Sequence, residues 1–129
     1  MKITFFFLLT VLSSFNSANA ENLSDLSRCT GVLQLAGITA KMSLENAPPY
    51  AREKYQKQMQ FFMQGGNNLE RFAKKLPDYS ERAFSDASQK VMMQLLEKIK
   101  NQQLDPNQFN AMIFQCIADA GLNAKDYPQ

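Results

Sequence analysis

The 129-residue chain contains no histidine. That absence removes the commonest general base and the commonest metal ligand together. With them go the Ser-His-Asp triad, a cysteine nucleophile activated by imidazole and haem attachment through CxxCH. Cysteine is nearly as scarce, with Cys29 and Cys116 making up the total of two. Two thiols without histidine or CxxC spacing do not supply the roughly four ligands of a structural zinc site. Gly-rich phosphate loops, dinucleotide fingerprints and the nucleophile elbow are missing as well. An excess of one charge is also lacking: 14 basic and 12 acidic residues leave a formal charge of +2, too weak a field to gather nucleic acid or anionic lipid. Arg52, Lys54 and Lys57, and Arg71, Lys74 and Lys75, are interleaved with Glu53 and Glu70 and read as solvated helix faces. Of the carboxylates, Asp25, Asp78 and Glu81 fall where helices begin and suit the macrodipole, while Asp86 and Glu97 read as surface charges. The expectation is therefore a protein that is not an enzyme, with no cofactor, no metal site and no nucleic-acid partner.

Long apolar runs are absent except at the start, where Met1-Lys2 precedes a run from Ile3 to Phe15 and then Asn16-Ser17-Ala18-Asn19-Ala20. The run falls short of the ~18 to 20 residues of a transmembrane helix. Its three-part layout, ending in Ala18-x-Ala20, is that of a secretory signal peptide. We expect residues 1–20 to be cleaved and residues 21–129 to form one domain with one core, exported to a periplasm or secreted, without a transmembrane segment. Asn22-Leu23-Ser24 matches a glycosylation sequon, which matters only in a eukaryotic secretory pathway.

What the sequence does have is helical periodicity. Leu26, Cys29, Val32/Leu33, Ala36 and Ala40 form a stripe that predicts a helix from an N-cap at Ser24 to about Met42. Pro48 and Pro49 end that pattern, and Pro49 suits the first turn of the next helix. The second helix turns Tyr55, Met59, Phe62 and Met63 inward, and its rhythm continues through Leu69, Phe72 and Leu76. Gly65-Gly66-Asn67-Asn68 interrupts it. Paired glycines cost ~2 kcal/mol inside a helix, so a break with Gly in the cap position is favoured over one long helix with a thin waist. A third helix capped by Asp78 or Ser80 carries Phe84, Ala87, Val91, Leu95 and Ile99 inward. Asp105-Pro106-Asn107-Gln108 is a capping box. It opens a last helix that buries Phe109, Met112, Ile113, Cys116, Ile117 and Ala120 and ends in a Schellman turn at Gly121-Leu122. Residues 123–129 read as a loose polar tail. With no alternating β pattern, the expected fold is all-α: a compact four- to five-helix bundle. Leu104 to Gln108, LDPNQ, distantly resembles the LTxxQ motif of helical periplasmic stress chaperones. The stretch occurs once, lacks the Thr and is accounted for by the helix cap, so no activity is carried over from them.

Both cysteines lie on inward stripes of an exported chain, so a disulfide between Cys29 on the first helix and Cys116 on the last is expected to staple the bundle. Gly31, Ala36, Gly37 and Ala40 leave a shallow surface on the first helix for a close neighbour. One stripe cannot bury Phe61, Phe62 and Met63 together, so Tyr55, Phe61, Phe62, Met63, Gly65 and Gly66 form the candidate partner surface. The expected function is a non-enzymatic protein-interaction module of inhibitor, immunity, chaperone or secreted-effector type, with a homodimer left open. The alternative is a carrier of an apolar small molecule, or of Cu(I) held by thioethers such as Met59 with Met63 and the neighbours Met92 and Met93. An exposed aromatic patch over a filled core favours the first, and a cavity lined by Phe and Met favours the second.

Overall fold

Asn22, two residues before the expected cap, opens the first helix. Its Oδ1 accepts the Asp25 backbone N–H at 2.8 Å while its Nδ2 donates to Asp25 Oδ2 at 3.1 Å, which satisfies one of the unpaired N–H groups of the first turn. The computed structural model describes residues 22–129. The expected signal peptide, residues 1–20, and the mature start at Glu21 lie outside the described residues. Helix α1 runs Leu23–Glu45, three residues past Met42, because its final carbonyls find partners. Asn46 Nδ2 donates to Met42 O at 2.9 Å and Arg52 Nη1 to Leu44 O at 3.1 Å.

Helix α2, Pro49–Lys74, is continuous through Gly65 and Gly66, so the expected break does not occur. Tertiary packing overrides the propensity cost. Gly65 is buried, and a Cβ there would lie 2.7 Å from Leu33 Cδ1 and 3.4 Å from Leu122 Cδ1. The missing side chain is what lets α2 close on α1 and on the end of the last helix. Asn68, which looked like part of the break, is buried too. It donates Nδ2 to Ala120 O at 3.0 Å and accepts from Arg71 through Oδ1.

Helix α3, Glu81–Lys100, is capped by Ser80 Oγ, which accepts from Ala83 N at 3.3 Å. It closes with Gln103 N donating to Lys98 O at 2.8 Å and Gln102 N to Ile99 O at 3.1 Å, a Schellman turn that places Gln102 at φ 60°. Helix α4, Pro106–Asp119, begins with the full capping box of Asp105 and Gln108. It ends as expected: Gly121 at φ 76° donates to Ala118 O at 2.9 Å, and Leu122 N donates to Ile117 O at 3.1 Å. The tail is more ordered than its polarity suggested. It forms a 3-10 turn over Ala124–Asp126 and brings Tyr127 onto the bundle.

Among the described residues the fold is thus four packed α-helices without a strand, with α1 at the centre. α1 packs against α2, α3 and α4; α2 also touches α4, whereas α3 touches α1 alone. A helix with neighbours on three sides is buried beyond one stripe, and Ser27, Thr30, Gly31 and Leu35 are buried in addition to the expected positions. The α1–α3 pair is parallel: Gly31 meets Ser88 and Val91, and Thr39 lies near Ile99 and Gln102. A Cβ at Gly31 would stand 2.5 Å from Ser88 O, so Gly31 makes the close approach that its small size predicted. Ile99, expected inward, is exposed in the last turn of α3. On the other side the Cys29–Cys116 disulfide joins first and last helices across 87 residues of sequence, with both residues fully buried.

Candidate functional site

Among the described residues α2 and α3 flank α1 without close backbone approach to each other, so a strip of α1 stays open between them. Its residues step along the helix as Thr30, Leu33/Gln34, Gly37/Ile38 and Lys41, a spacing of three and four that defines one face. α2 supplies one wall with Met59, Phe62, Met63, Gly66, Asn67 and Glu70, and α3 the other with Gln89 and Met92. The groove encloses about 440 Å³, within the range of ligand sites. Ile38 and Met63 stand 44 % and 57 % exposed along it. Among the described residues nothing lies within 4 Å of a Cβ built at Gly66, and at Gly37 only Phe62 Cβ does, at 3.8 Å. Both glycines therefore widen the space. Lys41 and Glu70 are the charged lining residues, and since α1 and α2 are antiparallel they sit toward opposite ends. Glu70 Oε2 accepts from the Tyr79 hydroxyl at 3.4 Å. Desolvation, then Glu70 and Glu81, pushes the Tyr79 phenol above its ordinary pKa.

The residues of the candidate partner surface divide between four places. Phe62, Met63 and Gly66 contribute to the groove, Phe62 from beneath and Met63 from the rim. Gly65 is enclosed between α1 and the end of α4. Tyr55 is half-buried with Lys54 Nζ 5.0 Å from its ring centroid, and Phe61 is half-buried under the tail. Tyr127 packs its ring 5.7 Å from Phe61, 5.6 Å from Phe62 and 6.0 Å from Phe114. Gln58 Nε2 holds the tail by donating to Pro128 O at 2.9 Å. The two phenylalanines are thus covered, and what opens to solvent nearby is the methionine-lined groove. Sequence reasoning missed Gln34, Ile38 and Lys41, and it marked Met92 only as a thioether. The available signal was Ile38, a large apolar residue off the expected stripe of α1.

A second polar feature lies at the disulfide. Asp119, the last residue of α4, is 5 % exposed. Its Oδ1 accepts from Gln115 Nε2 at 3.1 Å, while Oδ2 lies 3.6 Å from Cys29 Sγ, which carries no hydrogen in the disulfide. Burial raises its pKa above that of an ordinary aspartate, against the opposing influence of the Gln115 hydrogen bond and the Arg28 charge. Among the described residues no group of three or more His, Cys, Asp or Glu could hold a metal ion, and no helix is long and apolar enough to cross a membrane. No family model matches the chain, and no curated protein or solved structure does either.

Proposed function

We propose that this is an exported, non-enzymatic binding module that takes a protein partner in the α1–α2–α3 groove. The observation carrying this reading is that a mostly apolar groove, with Ile38 of α1 and Met63 of α2 exposed in it, is walled by α2 and α3 and left uncovered by the described residues. Water on such a strip is released when a partner covers it. The missing histidine and nucleophile motifs argue against catalysis, and the disulfide fits an oxidising compartment, periplasmic or extracellular.

The reading is tested by placing a photo-crosslinking side chain at Met63 inside the groove, or at Tyr50 outside it, in the native host. Tyr50 is 90 % exposed and reports encounters that do not involve the groove. A protein crosslinked from Met63 and not from Tyr50 is expected; equal crosslinking from both, or none from Met63, overturns the reading. A carrier is the second reading: Met59, Phe62, Met63 and Met92 supply the Phe- and Met-lined space expected of it, and no exposed aromatic patch among the described residues opposes it. Ile38 and Met63, however, lie open to solvent in a groove instead of enclosing a cavity, which favours the protein partner. For a carrier, intact-mass measurement on protein purified from its source would find an apolar compound or copper travelling with it.

A further inference from the structure

The inference here rests on the groove being the binding site, and it names the occupant. We propose that the groove receives an amphipathic helix of a protein partner, about three turns long, with an acidic side chain meeting Lys41 and a basic one meeting Glu70.

Three observations lead there. The floor is a trough: its residues run from Thr30 to Lys41 along α1, and the α2 wall runs over a matching span from Met59 to Glu70. At a rise of about 1.5 Å per residue each span is roughly 16 Å long. A rod lying along the helices fills that shape, whereas a small rounded ligand uses part of its length. The trough is also relieved where a ridge of side chains would run, at Gly37 on the floor and Gly66 on the wall. Ridges spaced by i±4 pack into such gaps between helices. Met59 and Met63 opposite Met92 can adapt to varied aliphatic side chains, as in other grooves that take an amphipathic helix.

The third observation is charge. Lys41 and Glu70 mark opposite ends of an otherwise uncharged lining, and among the described residues the salt bridge formed is that of Lys57 with Glu53. Neither end charge is neutralised by an ion pair among the described residues, although Glu70 accepts the Tyr79 hydroxyl. A helix bearing the complementary charges gains both partners, and one with the charges exchanged meets two repulsions. A neutral apolar compound responds to neither.

The test is a displayed library of helical peptides about fifteen residues long, with the apolar stripe and both end positions randomised, selected on the protein and on three variants. Gly37→Trp and Gly66→Trp block the groove from floor and wall, so that one remains informative if the other fails to fold. Lys41→Glu inverts one end. The selected peptides are expected to bind the protein at least roughly tenfold more tightly than a folded groove-blocked variant. They should carry Asp or Glu at the position facing Lys41 and exchange it for Lys or Arg on Lys41→Glu. Groove-dependent peptides whose end charges ignore Lys41→Glu would overturn the proposed charge order while leaving the groove as the site. If no peptide depends on the groove, but the dye 8-anilinonaphthalene-1-sulfonate binds the protein and not the blocked variants, the helix proposal falls and the groove holds small apolar molecules. If neither probe distinguishes the blocked variants, the proposal and the groove reading both fall.

Discussion

The two flanks of α1 are built differently. On the α4 side the helices are held by the disulfide, by a capping box and a Schellman turn on α4, by Asn68 bonding Ala120 O, and by a tail whose Tyr127 covers Phe61 and Phe62. On the other side α3 rests on α1 alone, through the close approach at Gly31 and the buried side chains Phe84, Ser88 and Leu95. The open groove lies on this less fastened side. A binding surface requires apolar area that the fold leaves uncovered, and the reinforcement opposite supports a small domain that leaves some exposed.

The comparison is broken most severely by removing the staple. Replacing both Cys29 and Cys116 with Ala should lower stability by roughly 4 to 5 kcal/mol if the loss follows the chain-entropy model for a loop of this size, as read from urea unfolding. The loss should appear first as faster amide exchange in α4, with exchange in α3 changed less. The next largest effect is expected at Gly31. A Cβ there meets Ser88 O at 2.5 Å and Val91 Cβ at 2.9 Å, so Gly31→Leu should cost about 1 to 3 kcal/mol or more through overpacking. It should also raise exchange in α3 selectively. Gly37→Ala is the control: its neighbour lies at 3.8 Å, and the substitution should be neutral or stabilising by up to ~1 kcal/mol. Equal losses at both glycines would mean that α3 is not seated on Gly31.

A smaller, opposite effect is expected where α3 ends. Gln102 occupies the left-handed position of its Schellman turn at φ 60°, a conformation that costs a non-glycine residue about 1 to 2 kcal/mol. Gln102→Gly should recover up to ~1 kcal/mol and raise the melting temperature by about 4 °C. Gly121→Ala, at φ 76° in the equivalent turn of α4, should lose a comparable amount. Together the two substitutions make the ends of α3 and α4 exchange character, which sharpens the contrast between the flanks.

Much of the fold was legible because its signals are local. Asp105-Pro106-Asn107-Gln108 and Gly121-Leu122 specify their turns within a few residues, and Cys29 and Cys116 were each placed by the stripe of their own helix. The continuity of α2 was not legible because Gly65 is explained by Leu33 and Leu122, distant in sequence. The tail was misjudged for the same reason, since Tyr127 acquires its role only when Phe61, Phe62 and Phe114 are assembled. The groove was half visible: Met63 and Gly66 were singled out, but its floor depends on α2 and α3 standing apart across α1, and periodicity within single helices carries no record of that spacing.

The smallest effect is expected at Asp119, where Gln115 and Arg28 offset part of the desolvation. Its carboxyl titrates above its unfolded value, so the folded chain holds the proton more tightly than the unfolded chain. Asp119 therefore favours folding most fully below the ordinary aspartate range, and this contribution is lost as pH rises through the elevated folded pKa. Asp119→Asn keeps an acceptor for Gln115 and removes the ionisation. Thermal melts from below the ordinary aspartate range up to neutral pH should show wild-type stability falling relative to Asp119→Asn, with the variant the more stable at neutral pH. Because Asp25 and Arg28 on α1 also act on this site, the difference between the two proteins, rather than either curve alone, isolates the carboxyl. If that difference does not change with pH, Asp119 is ionised in the fold without penalty, and the α4 flank has a charge-compensated contact beside its disulfide where we infer an uncompensated one.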